Sequence, residues 1–92
     1  MQEEPDQPLA ALVMRVPEGW TSVVFDGRRY GLSRVTRAHG QSVSIYAEEL
    51  GGPDVVSANV YRTSNGPLLK PCEMPADRVL AFLQGWRHPT HS

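Results

Sequence analysis

A chain of 92 residues with 40% apolar content and a formal net charge of −1 has the size and make-up of one small globular domain. That balance excludes a disordered polyelectrolyte and a membrane bundle, and it selects no class of partner by charge alone. A single cysteine, Cys72, excludes an internal disulfide framework and points to a reducing, cytoplasmic setting.

Residues 1–8 carry Glu3, Glu4 and Asp6 with two prolines. They bury too little to offset ordering entropy and read as a disordered tail. From residue 11 onward nine basic residues face seven acidic ones, so the folded part is weakly basic. Residues 9–16 are apolar but too short to span a bilayer, and the acidic leader does not suit a secretory signal. They fit either a helical turn or an extended lead-in before Pro17. A single domain is expected over residues 9–87, with 88–92 as a polar tail.

Residues 20–25 are aromatic and β-branched, and Asp26-Gly27 follows, a dipeptide suited to a type I′ hairpin turn. The return strand over 28–36 places Tyr30 and Leu32 on one side and Arg29, Gly31, Ser33 and Val35 on the other. After the turn at Ala38-His39-Gly40, Val43, Ile45 and Ala47 alternate with Ser42, Ser44, Tyr46 and Glu48. Residues 55–62 repeat the scheme after the Leu50-Gly51-Gly52-Pro53 break, with Val56, Ala58 and Val60 opposed to Val55, Ser57, Asn59 and Tyr61. Asn65-Gly66 turns the chain into a last short strand at 68–70, which Pro71 confines to an edge. Met74-Pro75 then opens a helix that Gly85 closes, with Val79, Leu80, Leu83 and Trp86 as its apolar stripe and Ala76 and Phe82 beside it. The expected class is α+β: an antiparallel meander of four to five strands with one C-terminal helix packed on one face.

No Gly-x-Gly-x-x-Gly, Walker-type, Gly-x-Ser-x-Gly or His-Glu-x-x-His motif is present. His88 and His91 have a two-residue spacing but lie in the expected tail, and only Cys72 or His39 could complete a set, so neither a metal nor a cofactor is expected. Cys72 precedes a helix N-terminus, which lowers a thiol pKa, but adjoins Glu73, which raises it. It reads as a small buried hydrophobe, or as the catalytic residue if the protein is a thiol enzyme. Glu48 and Glu49 are adjacent on a strand and so point to opposite sides, which disfavours paired-carboxylate catalysis; one of them is a candidate to turn inward onto backbone groups at the strand end. Arg28, Arg29, Arg34 and Arg37 form either a positive patch or a set of solvated edge residues.

The polar side of the sheet carries the candidate binding residues Tyr46, Tyr61 and Asn59, with Arg34 and Arg62 as flanking cations. Such a surface suits single-stranded nucleic acid, in which bases stack on aromatics and cations hold the backbone. The order of four strands then a helix is similar to that of Whirly and Pur-alpha domains. The same tyrosines also suit packing across strands or burial in a homodimer.

Four segments carry a further likeness: Arg-Tyr-Gly at 29–31, Tyr-Ala-Glu-Glu-Leu-Gly-Gly at 46–52, Tyr-Arg at 61–62 and Pro-Cys-Glu-Met-Pro at 71–75. Through them residues 27–83 resemble a family of small bacterial single-domain proteins, some of which bear the label peptide methionine sulfoxide reductase. The resemblance implies a shared fold and a shared surface around Glu48, Glu49, Cys72 and Glu73. It carries over no catalytic residue, because those reductases look like Gly-Cys-Phe-Trp or zinc-bearing paired-cysteine enzymes and Cys72 stands alone in Pro-Cys-Glu.

The leading expectation is therefore a non-enzymatic cytoplasmic domain acting by protein–protein interaction, as a homodimer or with another protein partner, away from membranes. The alternatives are single-stranded nucleic-acid binding by the open sheet face and a thiol-dependent redox enzyme using Cys72.

Overall fold

Five strands pair antiparallel in strict sequence order: β1 (Gly19–Phe25), β2 (Arg28–Arg37), β3 (Ser42–Glu49), β4 (Val55–Thr63) and β5 (Gly66–Pro71). Two helices, α1 (Leu9–Arg15) and α2 (Ala76–Gly85), complete the computed structural model, which describes residues 8–89. The α+β meander with a C-terminal helix is thus the observed fold. The expected tails, apart from Pro8, His88 and Pro89, lie outside the described residues.

The β1–β2 turn has positive φ at both Asp26 (54°) and Gly27 (76°), the backbone of a type I′ hairpin. That turn sets the register, with Val23 opposite Tyr30 and Thr21 opposite Leu32. The period of two then carries one apolar set across the sheet, pairing Leu32 with Ala47, Ala47 with Val56, Ile45 with Ala58 and Val43 with Val60. The last strand is longer than the sequence suggested. It lies at the sheet edge, where Pro67 and Pro71 leave no central ladder bond unmade.

Residues 9–16, open between helix and strand on sequence grounds, form α1. It buries Leu12 and Val13, and Val16 follows into the same core. On α2 and its C-cap the buried set is Val79, Phe82, Leu83 and Trp86, at the i, i+3, i+4, i+7 spacing of one helical face. Phe82, expected at the flank, holds the centre in place of Leu80. Its ring lies 4.8 Å from that of Phe25 and 5.2 Å from that of Tyr30. Each such buried side chain contributes about 1.5–3 kcal/mol of transfer free energy.

Two arginines close the helix C-termini. Arg34 on β2 donates to the carbonyls of Val13 and Val16 at the end of α1, at 3.2 and 2.8 Å. Arg15 on α1 donates to those of Leu83 and Trp86 at the end of α2, both at 3.0 Å. Each guanidinium meets carbonyls at the negative end of a helix dipole, one of which, that of Val13, also accepts the Val16 N–H. The chain then returns to the sheet, where Arg87 and Val24 exchange both backbone hydrogen bonds at 2.8 Å.

Candidate functional site

Both helices lie on one side of the sheet, so the other side is uncovered. Eight large hydrophobic residues are strongly exposed among the described ones, and six of them project from this open face: Trp20, Val35, Tyr46, Val55, Tyr61 and Leu68. The other two are Met14 on α1 and Leu50 in the β3–β4 loop. Scattered apolar exposure is ordinary; concentration on one flat surface is a mark of an interaction site.

The register arranges this face in rows across the strands. Trp20, Ser33, Tyr46 and Ser57 form the middle row, followed by Val35, Ser44, Asn59 and Lys70, then by Arg37, Ser42, Tyr61 and Leu68. On the other side of the middle row lie Ser22, Gly31, Glu48 and Val55. The polar groups are tied to one another. Arg37 donates to Ser44 Oγ (3.2 Å), Ser44 Oγ to Asn59 Oδ1 (2.9 Å), and the Tyr46 hydroxyl to Glu48 Oε1 (3.2 Å). Partial burial and then the Glu48 carboxylate push the Tyr46 phenol upward. Trp20 is 63% exposed, yet its indole fills the space above Gly31, where a Cβ would lie 2.7 Å from Nε1.

Of the residues singled out in the sequence, Tyr46, Tyr61 and Asn59 are together on this face. Arg34 and Arg62 are not. Arg34 has the parity of Leu32 and turns under α1, where its Nε also lies 3.3 Å from Glu18 Oε1. Arg62 shares the parity of Val60 and lines a groove beside α1. The cations of the open face are Arg29, Arg37 and Lys70. Trp20 is the residue missed: its place in an aromatic strand was visible, but not that Gly31 opposite Ser22 leaves room for it to lie over the sheet.

Cys72 is half-buried, and its N–H donates to the Ser57 carbonyl (2.9 Å), which sets it at the end of the middle row. Among the described residues no three His, Cys, Asp or Glu side chains converge on a metal-sized site, and no helix is long and apolar enough to cross a membrane.

A second cluster sits where the β3–β4 loop meets α2, and its Asp54–Arg78 pairing has no local mark in the sequence. Asp54 accepts hydrogen bonds from Arg78 and from the hydroxyl of Tyr30, the latter at 2.5 Å. Arg78, then Tyr30, holds the Asp54 carboxyl below its ordinary range. Burial and then Asp54 push the Tyr30 phenol up to about 12. Both Asp54 oxygens are engaged, so the cluster ties loop, helix and sheet together. Glu49 supports it by accepting from the Asp54 N–H (3.3 Å), with Arg28 loosely paired at 3.9 Å. The carboxylate fits because position 52 is glycine; a Cβ there would collide with it. This is the inward turn at the strand end that the Glu48-Glu49 pair suggested.

Fold and face together define an α+β domain with one covered and one open sheet surface. No family model, curated protein or solved structure matches the chain.

Proposed function

We propose that this protein is a non-enzymatic docking domain that acts by protein–protein contact through the open face of its sheet and self-associates as a homodimer. The observation that carries the reading is the gathering of Trp20, Val35, Tyr46, Val55, Tyr61 and Leu68 on that one face. Tyr46 at the middle of the face, with Arg37 and Lys70 towards its edges, follows the anatomy of a protein interface. Glu48 and Cys72, two residues on which the resemblance to the bacterial family rests, belong to this face or its end. The lone thiol suits a cytoplasmic setting.

Size sets the expected strength. Five strands about 4.8 Å apart, with about six residues each, give a plan area of roughly 500 Å² per copy. Two copies then bury about 1,000 Å², the lower end for a specific interface, so micromolar association is expected. Sedimentation from low micromolar to submillimolar protein tests it, with Val35→Glu as the variant that must weaken the dimer. A monomer throughout that range, with no change in Trp20 emission, overturns the homodimer.

A second reading rests on Trp20 joining Tyr46 and Tyr61, which spreads three exposed aromatics over β1, β3 and β4 beside Arg29, Arg37 and Lys70. That array suits stacked bases of a single strand. Titration with an oligothymidylate at low salt decides it. Binding that fades with added salt and with Tyr46→Ala favours the strand; no binding leaves the protein–protein reading alone.

A further inference from the structure

The open face is electrically lopsided along the strands. Glu48 lies on β3 towards the β3–β4 loop, whereas Arg37 on β2 and Lys70 on β5 lie towards the opposite end. Glu48 is opposite Gly31 and Val55, and Arg37 is opposite Ser42, three residue pairs away and roughly 20 Å along the strand. Arg29 stands beyond Glu48 at the margin, outside the rows that two stacked faces share.

Two copies stacked face to face keep their mean strand directions within about 30° of each other. A two-fold axis between the faces then runs either along the strands or across them. An axis along the strands sets β3 on β3 with equal residues facing, so that Glu48 meets Glu48 of the second copy. Like charges at the centre of a closing interface are unfavourable. An axis across the strands reverses the row order. It sets Glu48 against Ser42 of the second copy, one strand away from that copy's Arg37, and does so twice by symmetry. The same operation places Tyr61 on Val55 and Tyr46 on Ser44, with no carboxylate on a carboxylate.

We infer that the occupant of the open face is a second copy stacked about a two-fold axis running across the strands, with Glu48 of each copy paired to Arg37 of the other. This rests on the docking reading above and specifies its partner and geometry.

The test uses charge reversal at two exposed positions, Glu48→Arg and Arg37→Glu, with circular dichroism to check the fold. Each single variant places like charges together twice in its own homodimer and is expected to lose at least about tenfold in self-association. A one-to-one mixture of the two variants is expected to recover dimers, because each reversed residue then faces its complement. Recovery in that mixture, measured by sedimentation, supports the inference. Single variants that dimerise like the wild type overturn this geometry while leaving face docking in place, provided Val35→Glu still weakens the dimer. So does a Glu48→Arg chain that pairs with wild type as well as it pairs with Arg37→Glu, since the other axis sets residue 48 against the Glu48 that both partners keep. A wild-type chain that never associates removes the docking reading and this inference together.

Discussion

The indole of Trp20 occupies the space that a side chain at Gly31 would need: a Cβ there would lie 2.7 Å from Nε1 and 2.9 Å from Cζ2. Trp20 therefore covers the buried backbone of β2 at Gly31 while presenting most of its surface to solvent. Gly31→Val is expected to push the indole off the sheet, and because Trp20 has free space outward the fold survives. The only other tryptophan, Trp86, is 1% exposed, so a change in emission and quenching reports on Trp20. A red-shifted, more quenchable emission with weaker self-association is the expected result. Unchanged emission would show that the seat over Gly31 does not fix the ring.

Tyr30 and Asp54 give the protein a pH signature at both ends. The folded Tyr30 phenol is raised from 10.0 to about 12, by burial first and by Asp54 next. A raised folded value means stability that is full below the unfolded value and is lost as pH climbs from about 10 to about 12. Asp54 is lowered, chiefly by Arg78, so its contribution is full above an unfolded carboxylate value of about 3.9 and is lost as pH falls through the folded value. Tyr30→Phe removes a hydrogen bond to a charged acceptor and is expected to cost about 1.5–3 kcal/mol at neutral pH. It should also flatten the alkaline slope in urea midpoints measured across pH. An alkaline slope that persists in Tyr30→Phe assigns it to another group.

Much of the fold was legible because it is local: Asp26-Gly27 fixes one hairpin, and the alternation in β3 and β4 fixes which residues face the helices. Tyr46, Tyr61 and Asn59 could be put on the open face for the same reason, since parity along a strand is a sequence property. The same parity puts Arg34 on the covered side, but its role there could not be read from the sequence. It obeys the parity of Leu32 and enters the covered layer, where helix carbonyls provide partners that only the packed tertiary structure creates. Asp54 and Arg78 meet across 24 positions of sequence, and nothing local in either segment marks them as partners. Phe82 took the core position from Leu80 because a 100° step per residue puts 79, 82, 83 and 86 on one stripe.

Arg34 is expected to matter for stability and not for surface charge. Its side chain is 14% exposed and meets the Val13 and Val16 carbonyls and the Glu18 carboxylate. Arg34→Met keeps the stem and removes the guanidinium, which should cost about 2–3 kcal/mol through two charged hydrogen bonds. Arg34→Lys should recover only part, because a single ammonium can serve the two carbonyls that Nη1 meets but not also the Glu18 carboxylate that Nε meets. Chemical denaturation of the three proteins checks the order. Equal stabilities would mean that α1 is held by Leu12, Val13 and Val16 alone.

Arg15 makes the corresponding contact at α2, with its guanidinium also 4.4 Å from the centroid of the Trp86 ring. Arg15 is more exposed than Arg34, so solvent weakens the same chemistry, and Arg15→Ala should cost only about 1–2 kcal/mol. The informative effect is local. Trp86 donates its N–H to Phe82, and the next residue, Arg87, donates to Val24 on β1, so loosening the last turn of α2 also loosens that rung. Hydrogen exchange at the Arg87 amide should accelerate by more than the global destabilisation requires, while core amides of β3 follow the global change. If Arg87 exchanges in step with β3 in the variant, the link between α2 and the β1 edge runs through Trp86 packing and not through the arginine.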